Sequence, residues 1–409
     1  MKKYKKYIGL VALSFGIMAL AAGCGGETRG ETGGETDGKP ATGESNEPVT
    51  VTIAMPSWGL SEATFKKFIA DPVKSKYPYI DTQRVVVDIK ANKLQEMLAQ
   101  GVYPDFVMTS SNIMDPLLSV KLTGNIEPLL KANGFDANRL QKGSLDAVRT
   151  ASGGQYLSAL PYTQNYSALY YNKDLFDKFG VAYPKDGMSW TKVVELGRKM
   201  TRMDGGTQYY GLHAGKVTRT ASQRGLAVVD AKTLKAAVNT EEWKRNFELH
   251  KTIFSIPGNT WINEGGAYDR FFKDKTLAML ALNSMHNRFA SAPDLNWDMV
   301  TYPYVEGKPG IGMGYDLHVM AITADSKHKD AAYKVLATLL SDEVQTTMAQ
   351  DGMLTVLQNE NIRNQFGKNL SYLQGKNLQA IFKTTPADKA LPTMFERRYG
   401  RGNGLAVTT

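Results

Sequence analysis

The feature that most constrains the fold is an alternation of strand-like and helix-like segments between residues 49 and 350. β-Branched stretches predict strands, and apolar residues spaced three or four apart predict amphipathic helices. This alternation is typical of an α/β fold with a mainly parallel sheet. It begins at residue 49 and starts again near residue 167, which predicts two α/β lobes. Strands are predicted at 49–54, 84–89, 104–108, 168–171, 276–282 and 317–322, and helices at 61–70, 94–100, 190–200, 241–254, 329–340 and 343–350.

The N-terminal segment has a basic start and an apolar run at 8–20, and it reaches small residues and then Cys24, the one cysteine of the chain. The run is shorter than the ~20 residues that a membrane-spanning helix needs, so residues 1–23 are predicted to be a cleaved signal peptide. The pattern resembles the lipobox of bacterial lipoproteins, although Ala21 stands where Leu is usual. It implies that Cys24 carries acyl chains such as palmitate, on the outer face of the cell membrane. The alternative is an ordinary secreted protein with an incidental cysteine.

Residues 24–48 are predicted to be a disordered tether. Gly-Glu-Thr occurs there three times, and no apolar residue is larger than Ala. Such a segment buries too little surface to offset the entropy of ordering. The folded body is therefore predicted to begin at about Val49.

Composition narrows the classes of protein that remain. With 409 residues, 42% of them apolar, the chain is long enough for two or three domains. A single cysteine leaves no internal disulfide. The net charge of +9 would draw the body to anionic wall polymer or headgroups. Clusters of Arg or Lys interleaved with aromatic residues, which nucleic-acid binding favours, are absent from the sequence.

The sequence offers little sign of catalysis. It contains no G-x-S-x-G, no H-E-x-x-H and no Walker A motif. Its five histidines lack metal-ligand spacing. We therefore expect no catalytic residue, no metal and no cofactor. Two alternatives stay open: a secreted glycoside hydrolase, which needs only a pair of carboxylates, and a structural or adhesive lipoprotein.

A stretch at 160–200 carries a resemblance to a known family. It contains LPYTQNYSALYYNKDL at 160–175, and Trp190 opens the next helix. This pattern resembles the extracellular solute-binding proteins, family 1, of ABC importers, the group that includes maltose-binding protein. Pro161, Tyr171, Asn172 and Lys173 match the family pattern there. Further matching stretches lie at 57–59, 104–105, 271–282 and 323–345, and the resemblance covers about 49–360.

The resemblance implies a fold and a function. The fold is a two-lobed, periplasmic-binding-protein-like α/β fold with a ligand cleft between the lobes. Lobe 1 would comprise 49–164 and 308–358, and lobe 2 would comprise 165–307 and 359–409. The implied function is capture of a small solute, a mono- or oligosaccharide, outside the cell by a monomer and its delivery to an ABC transporter permease. A peptide or an anionic nutrient is the alternative ligand.

Cleft residues are expected at strand ends and crossings, where aromatic platforms and polar groups converge. Trp58 follows the first strand, with cover of a lobe edge as its alternative role. Ser110 and Ser111 follow the third strand, where capping of the next helix is the alternative. His286 stands where relatives often carry Trp, with a surface loop as its alternative. The predicted ligand-binding residues are Trp58, Ser110, Ser111, Tyr162, Gln164, Asn165, Ser284, His286, Tyr315 and Asp316.

The remaining tryptophans and the C-terminus are treated separately. Trp190 is predicted to pack at a helix start, and Trp261 and Trp297 are left open between core and site. Members of the family usually finish with two further helices, whereas this sequence stops at Thr409 after a Gly-rich segment. The end of lobe 2 is then either abbreviated or incomplete, which puts any ligand contact from Met394 or Phe395 in doubt.

Overall fold

The structure is a computed structural model that describes residues 47–230 and 232–388. Cys24, the predicted signal peptide and tether, Met394 and Phe395 lie outside the described residues. The strands are β1 Val49–Met55, β2 Ile80–Val86, β3 Phe106–Ser110, β4 Leu160–Gln164, β5 Ser167–Asn172, β6 Arg202–Asp204, β7 Thr207–His213, β8 Leu277–Asn283, β9 Trp297–Thr301, β10 Ile311–Gly314, β11 Leu317–Ile322 and β12 Thr385–Ala387.

Helices cover both sheets, and several begin directly after a serine that caps them. Ser61, Ser189 and Ser341 accept hydrogen bonds from backbone N–H groups of the first turn, which satisfies donors that a helix start leaves free. The helices are α1 Glu62–Phe65, α2 Asp71–Lys76, α3 Ala91–Ala99, α4 Asp115–Ser119, α5 Glu127–Ala132, α6 Lys142–Ala151, α7 Lys173–Phe179, α8 Trp190–Met200, α9 Val217–Gln223, α10 Glu241–Phe254, α11 Glu264–Tyr268, α12 His286–Phe289, α13 Lys329–Leu339, α14 Asp342–Gln350 and α15 Glu360–Arg363. One turn of π-helix, Lys66–Ala70, joins α1 to α2, and another, Asp269–Lys273, extends α11.

The first sheet has the strand order β2-β1-β3-β11-β4. β1 is parallel to both β2 and β3, whereas β11 is antiparallel to β3 and β4. Its core includes Ile53 and Phe106, which are fully buried. The carboxyl ends of β2, β1 and β3 therefore lie together at one edge, where open α/β sheets usually bind ligands.

The second sheet has the order β6-β7-β8-β5-β9 and differs from the expected parallel arrangement. Only the β7–β8 pairing is parallel; β5 is antiparallel to β8 and β9, and β6 is antiparallel to β7. The chain turns from β6 to β7 through Gly205 and Gly206, both at positive φ, and such a two-residue turn forces antiparallel strands. β5 is buried on both faces: Leu169 and Tyr171 belong to one cluster, Ala168 and Tyr170 to another.

The two sheets form separate cores, so the predicted α/β fold with two lobes is confirmed. The chain crosses between the sheets after β4 and again between β10 and β11. β10 pairs with β12 outside both sheets, and Met313 of β10 packs in a core of the second lobe. The exact boundaries proposed for the lobes stay a prediction. Within 47–230 and 232–388, no helix is both long and apolar enough to span a bilayer.

Candidate functional site

The site is built where two chain segments pass from one lobe to the other. Asn165 lies between β4 and β5, and Asp316 lies between β10 and β11. The backbone N–H of Asn165 donates to the carbonyl of Asp316 at 2.8 Å. The two crossings are therefore adjacent, and any ligand held between the lobes would meet both of them.

The carboxylate of Asp316 collects side-chain donors from three parts of the fold. Ser110 Oγ (3.3 Å) and Asn112 Nδ2 (2.8 Å) donate to Oδ1. Asn165 Nδ2 (3.0 Å) and Asn283 Nδ2 (3.4 Å) donate to Oδ2. A carboxylate offers about four lone-pair sites, so these donors use all of them. We call these five residues the Asp316 cluster.

The Asp316 cluster connects the lobes as well as lining the crossing. Ser110 ends β3 in the first sheet, and Asn283 ends β8 in the second. Of the five residues, Ser110, Asn165 and Asp316 were predicted from the sequence, whereas Asn112 and Asn283 were missed. Both missed residues are polar and stand at or just after a strand end, which is the same signal that identified Ser110.

An aromatic row extends from the cluster toward solvent. The ring of His318 lies between Trp58 and Tyr162, with centroids 5.7 and 6.1 Å away and both contacts edge-on. Trp58 is 50% exposed, whereas Tyr162 is buried in the first core. Burial lowers the pKa of His318, although the nearby Asp316 charge opposes this shift. His318 is therefore neutral at pH 7, and Trp58, not Tyr162, presents an exposed ring in this conformation.

Ser111 and Gln164 are sequence neighbours of the cluster residues Ser110 and Asn165, and each makes a hydrogen bond with a backbone group. Ser111 is buried, and its Oγ accepts a hydrogen bond from the N–H of Leu317 at 3.3 Å. Gln164 donates through its backbone N–H to Leu354 at 3.2 Å. Its Oε1 atom is buried without a hydrogen-bond partner in the structure. Their expected contacts with ligand stay predictions.

Ser284 and His286 pack around Tyr166, the residue after the first crossing. Ser284 Oγ accepts from the N–H of Tyr166 at 3.0 Å. The His286 ring stacks on Tyr166 with centroids 6.3 Å apart and meets Phe366 edge-on. Its Nδ1 is buried without a hydrogen-bond partner, and burial lowers the pKa of His286 to about 4. His286 thus lies half-buried at the start of α12, and its expected contact with ligand stays a prediction.

The side chain of Tyr315 points from the crossing toward α6 of the first lobe. A Cβ added at Gly143 would lie 2.0 Å from the Tyr315 hydroxyl, so only a glycine on α6 leaves room for this ring. Burial raises the pKa of Tyr315. The ring thus fixes the direction of the chain just before Asp316, and any contact it makes with ligand stays a prediction.

An ion pair that the sequence did not indicate stands in the second lobe. Arg219 Nε and Nη2 donate to Glu264 Oε1 and Oε2 at 2.6 and 3.2 Å, a bidentate geometry. Burial works against the charge on Arg219, but Glu264, with a smaller contribution from Asp316, raises its pKa. Glu264 therefore compensates the arginine charge locally.

Trp190, Trp261 and Trp297 differ in how far they are buried. Trp190 is buried, and its Nε1 donates to Gln223 Oε1 at 2.9 Å, as expected of a structural residue. Trp297 is buried and stacks on Phe289 with centroids 3.5 Å apart. Trp261 is 64% exposed and contributes nothing to the Asp316 cluster. In the described part of the chain, no group of three or more His, Cys, Asp or Glu residues is arranged to hold a metal ion.

Comparison with known proteins identifies one matching family model and several solved structures with a similar fold. A family model described as bacterial extracellular solute-binding protein matches residues 76–362. A comparison with curated protein sequences finds no match.

Three solved structures illustrate the similarity in shape. An ABC substrate-binding protein from Listeria monocytogenes in complex with cycloalternan superposes with a TM-score of 0.67 at 18% identity, covering 86% of this chain and 90% of that one. A sugar transporter from Rhizobium etli in an open conformation gives 0.68 at 18%, with 84% and 90% covered. UgpB from Mycobacterium tuberculosis in complex with glycerophosphocholine gives 0.67 at 17%, with 83% and 88% covered. At such low identity these likenesses establish the fold.

Proposed function

The chain belongs to the family of bacterial extracellular solute-binding proteins, and we propose that it captures a mono- or oligosaccharide and delivers it to an ABC importer. The observation that carries the proposal is the Asp316 cluster, a set of hydrogen-bonding side chains at the crossings between lobes, beside the exposed ring of Trp58. Hydroxyl groups of a sugar match the hydroxyl and amide groups that surround Asp316, which itself already accepts from four donors, and the C–H face of a sugar ring matches an aromatic ring. The structural relatives bound to cycloalternan or described as sugar transporters support the same class of solute.

The proposed mechanism is a shift of population between open and closed arrangements of the lobes. Domain closure around a ligand is typical of periplasmic binding proteins. A solute that contacts both lobes only when they are closed favours the closed form by its difference in affinity. The closed form would then be recognised by the permease. No bond in the solute is broken, so the proposed role is not enzymatic, and the protein acts as a monomer.

The alternative ligands are a peptide or an anionic nutrient. The fold accommodates such chemistry, because UgpB binds glycerophosphocholine. In this chain Arg219, a half-buried arginine close enough to Asp316 to feel its charge, is already paired with Glu264. An anion would have to displace that carboxylate, which favours a neutral, hydroxyl-rich solute. A glycoside hydrolase is the enzymatic alternative.

The proposal is tested by titrating the purified protein with a panel of sugars in a calorimeter and recording X-ray scattering with and without each sugar. We expect one sugar class to bind and to reduce the radius of gyration, because closure brings the lobes together. The sugar should be recovered intact after prolonged incubation. Binding confined to peptides or phosphorylated compounds would overturn the proposed solute class, and release of reducing sugar from a glycan would favour a hydrolase.

We also propose that acyl chains on Cys24 anchor the protein. Members of the family act outside the cytoplasm, and Cys24 follows an apolar run typical of a signal peptide. Replacing Cys24 by serine removes the thiol that a lipid would be attached to. We expect Cys24→Ser to move the protein from the membrane fraction to the medium in a bacterium that lipidates secreted cysteines, since two acyl chains are needed for stable anchoring. Thr28→Ser, four residues along the tether, should stay with the membrane; equal partitioning of both variants would contradict the anchor.

A further inference from the structure

A groove lies at the edge of the first sheet where β2, β1 and β3 end. Its volume is about 550 Å³, and it is lined by residues that follow the carboxyl ends of these three parallel strands. Ligands of open α/β sheets bind in such positions. Two other surface depressions, of about 290 and 450 Å³, lie in the second lobe, and the residues that line them include none of the crossing residues.

The surface of the groove combines apolar and polar groups. Trp58, Val86 and Ile113 line it and are 50%, 49% and 36% exposed, which is unusual for large apolar side chains. Asp88 and Lys90 border the same groove and pair with each other at 3.0 Å. Exposed apolar surface with a polar rim marks a binding site more often than a plain surface. A sugar ring has a matching combination: its C–H faces fit apolar surface, and its hydroxyl groups fit the polar rim.

The groove is continuous with the site at the crossings through the aromatic row. Trp58 lines the groove and also meets the ring of His318, and His318 follows Asp316 by two residues. A solute that contacts both the Asp316 cluster and the groove would therefore extend past Trp58. The cluster and the groove thus form two parts of one elongated surface.

We propose that the groove is an outer subsite that takes the terminal rings of a linear oligosaccharide, so the transported solute is an oligosaccharide and not a monosaccharide. The inference rests on the proposed function and specifies its substrate class. Rings bound at the cluster would provide the contacts that close the lobes, whereas rings in the groove would add affinity through burial of apolar surface, at roughly 25 cal/mol per Å².

The test is calorimetric titration of the full mature protein with linear gluco-, manno- and xylo-oligosaccharides of increasing length, starting from the monosaccharides. In the class that binds, affinity should rise at least about tenfold from the monosaccharide to the length that fills the groove. Val86→Arg places a long side chain in the groove at the end of the edge strand β2. It should lower the affinity for the long oligosaccharide about tenfold and leave that for the monosaccharide or disaccharide unchanged.

Val102→Arg is the matched control, because Val102 is 43% exposed and does not line the groove. It should alter binding at no length, and thermal unfolding of both variants should resemble that of the original protein. If length does not affect affinity, or if Val86→Arg weakens binding equally at every length, the outer subsite is refuted while the sugar-binding function stands. If no sugar of any length binds, or if the protein binds only peptides or a second copy of the chain, the proposed function fails along with the inference.

Discussion

Replacing Asp316 by alanine is expected to lower the free energy of unfolding by about 2–4 kcal/mol, because it leaves donors in three parts of the fold without their acceptor. The four donors reach Asp316 at 2.8–3.4 Å and come from both lobes and from a crossing. The same change should weaken solute binding about tenfold or more, since the crossings would no longer hold one geometry and fewer molecules would be competent to bind. Chemical denaturation and calorimetry measure the two effects.

Two further variants separate the roles of charge and position. Asp316→Asn keeps the size of the side chain but turns one acceptor into a donor, which then faces the donors of the cluster. We therefore expect it to lose nearly as much stability as Asp316→Ala. Asp325→Ala removes an exposed aspartate just beyond β11 and should change the free energy of unfolding by less than about 0.5 kcal/mol. If Asp316→Asn retains full stability and affinity, the cluster does not depend on the acceptor at Asp316.

Stability is expected to fall steeply as the pH drops from 6.5 toward 4. Burial lowers the pKa of both His250 and His286 from about 6.5 to about 4. Below 6.5 the unfolded chain binds protons at these rings while the folded chain does not. The free energy of unfolding therefore decreases with falling pH. At pH 5 the loss is about 2 kcal/mol for each ring, since one pKa unit corresponds to ~1.36 kcal/mol.

The surroundings of the two rings explain why they resist protonation. His250 Nε2 bonds to the hydroxyl of Thr220 at 2.8 Å, and His213, whose pKa is also lowered, lies close enough to oppose a second charge. His286 packs against Tyr166 and Phe366. Carboxylates with lowered pKa values, such as Glu264 in its pair with Arg219, lose their contribution only at lower pH, below about 4.5. The effect of the histidines on the free energy of unfolding can therefore be distinguished from that of the carboxylates, because it occurs at higher pH.

Urea denaturation at several pH values between 5 and 7 measures the effect. A variant with His250→Gln and His286→Gln lacks the two rings with the largest pKa shifts but keeps His213 and His318, so its stability should change less over this range than that of the original protein, even if its stability at pH 7 is lower. Equal slopes for the variant and the original protein would show that other groups cause the pH dependence.

Part of the first lobe could be predicted from the sequence, because the signals are local: β1, β3, β11, α1, α3, α13 and α14 overlap predicted segments, whereas α4, α5 and α6 were missed. β-Branched runs gave β1 and β11, and Ser341 with the apolar pattern after it gave α14. The hairpin of β6 and β7 was missed although Gly205-Gly206 is a recognised turn signal. β9 was missed because Trp297 was considered only as a core or site residue.

The candidate site could be predicted in part. Polar residues after strands pointed to Ser110, and the crossings implied by the family resemblance pointed to Asn165 and Asp316. Asn112 and Asn283 carry the same strand-end signal as Ser110, but their shared acceptor lies more than thirty residues away in sequence, so their meeting at one carboxylate is visible only in the tertiary structure. His318 occupies a place between two rings that strand pairing alone creates.

The sequence by itself determined the periodicity of the chain, its helix caps, its two α/β units and the family to which it belongs, because each of these depends on neighbouring residues or on their order. The tertiary structure alone decided the direction of the strands in the second sheet, the burial of Tyr162, the packing of His286 on Tyr166, and the meeting of four donors at Asp316. These depend on contacts between segments far apart in the chain, and the free energy of such contacts is fixed only when the lobes are packed together.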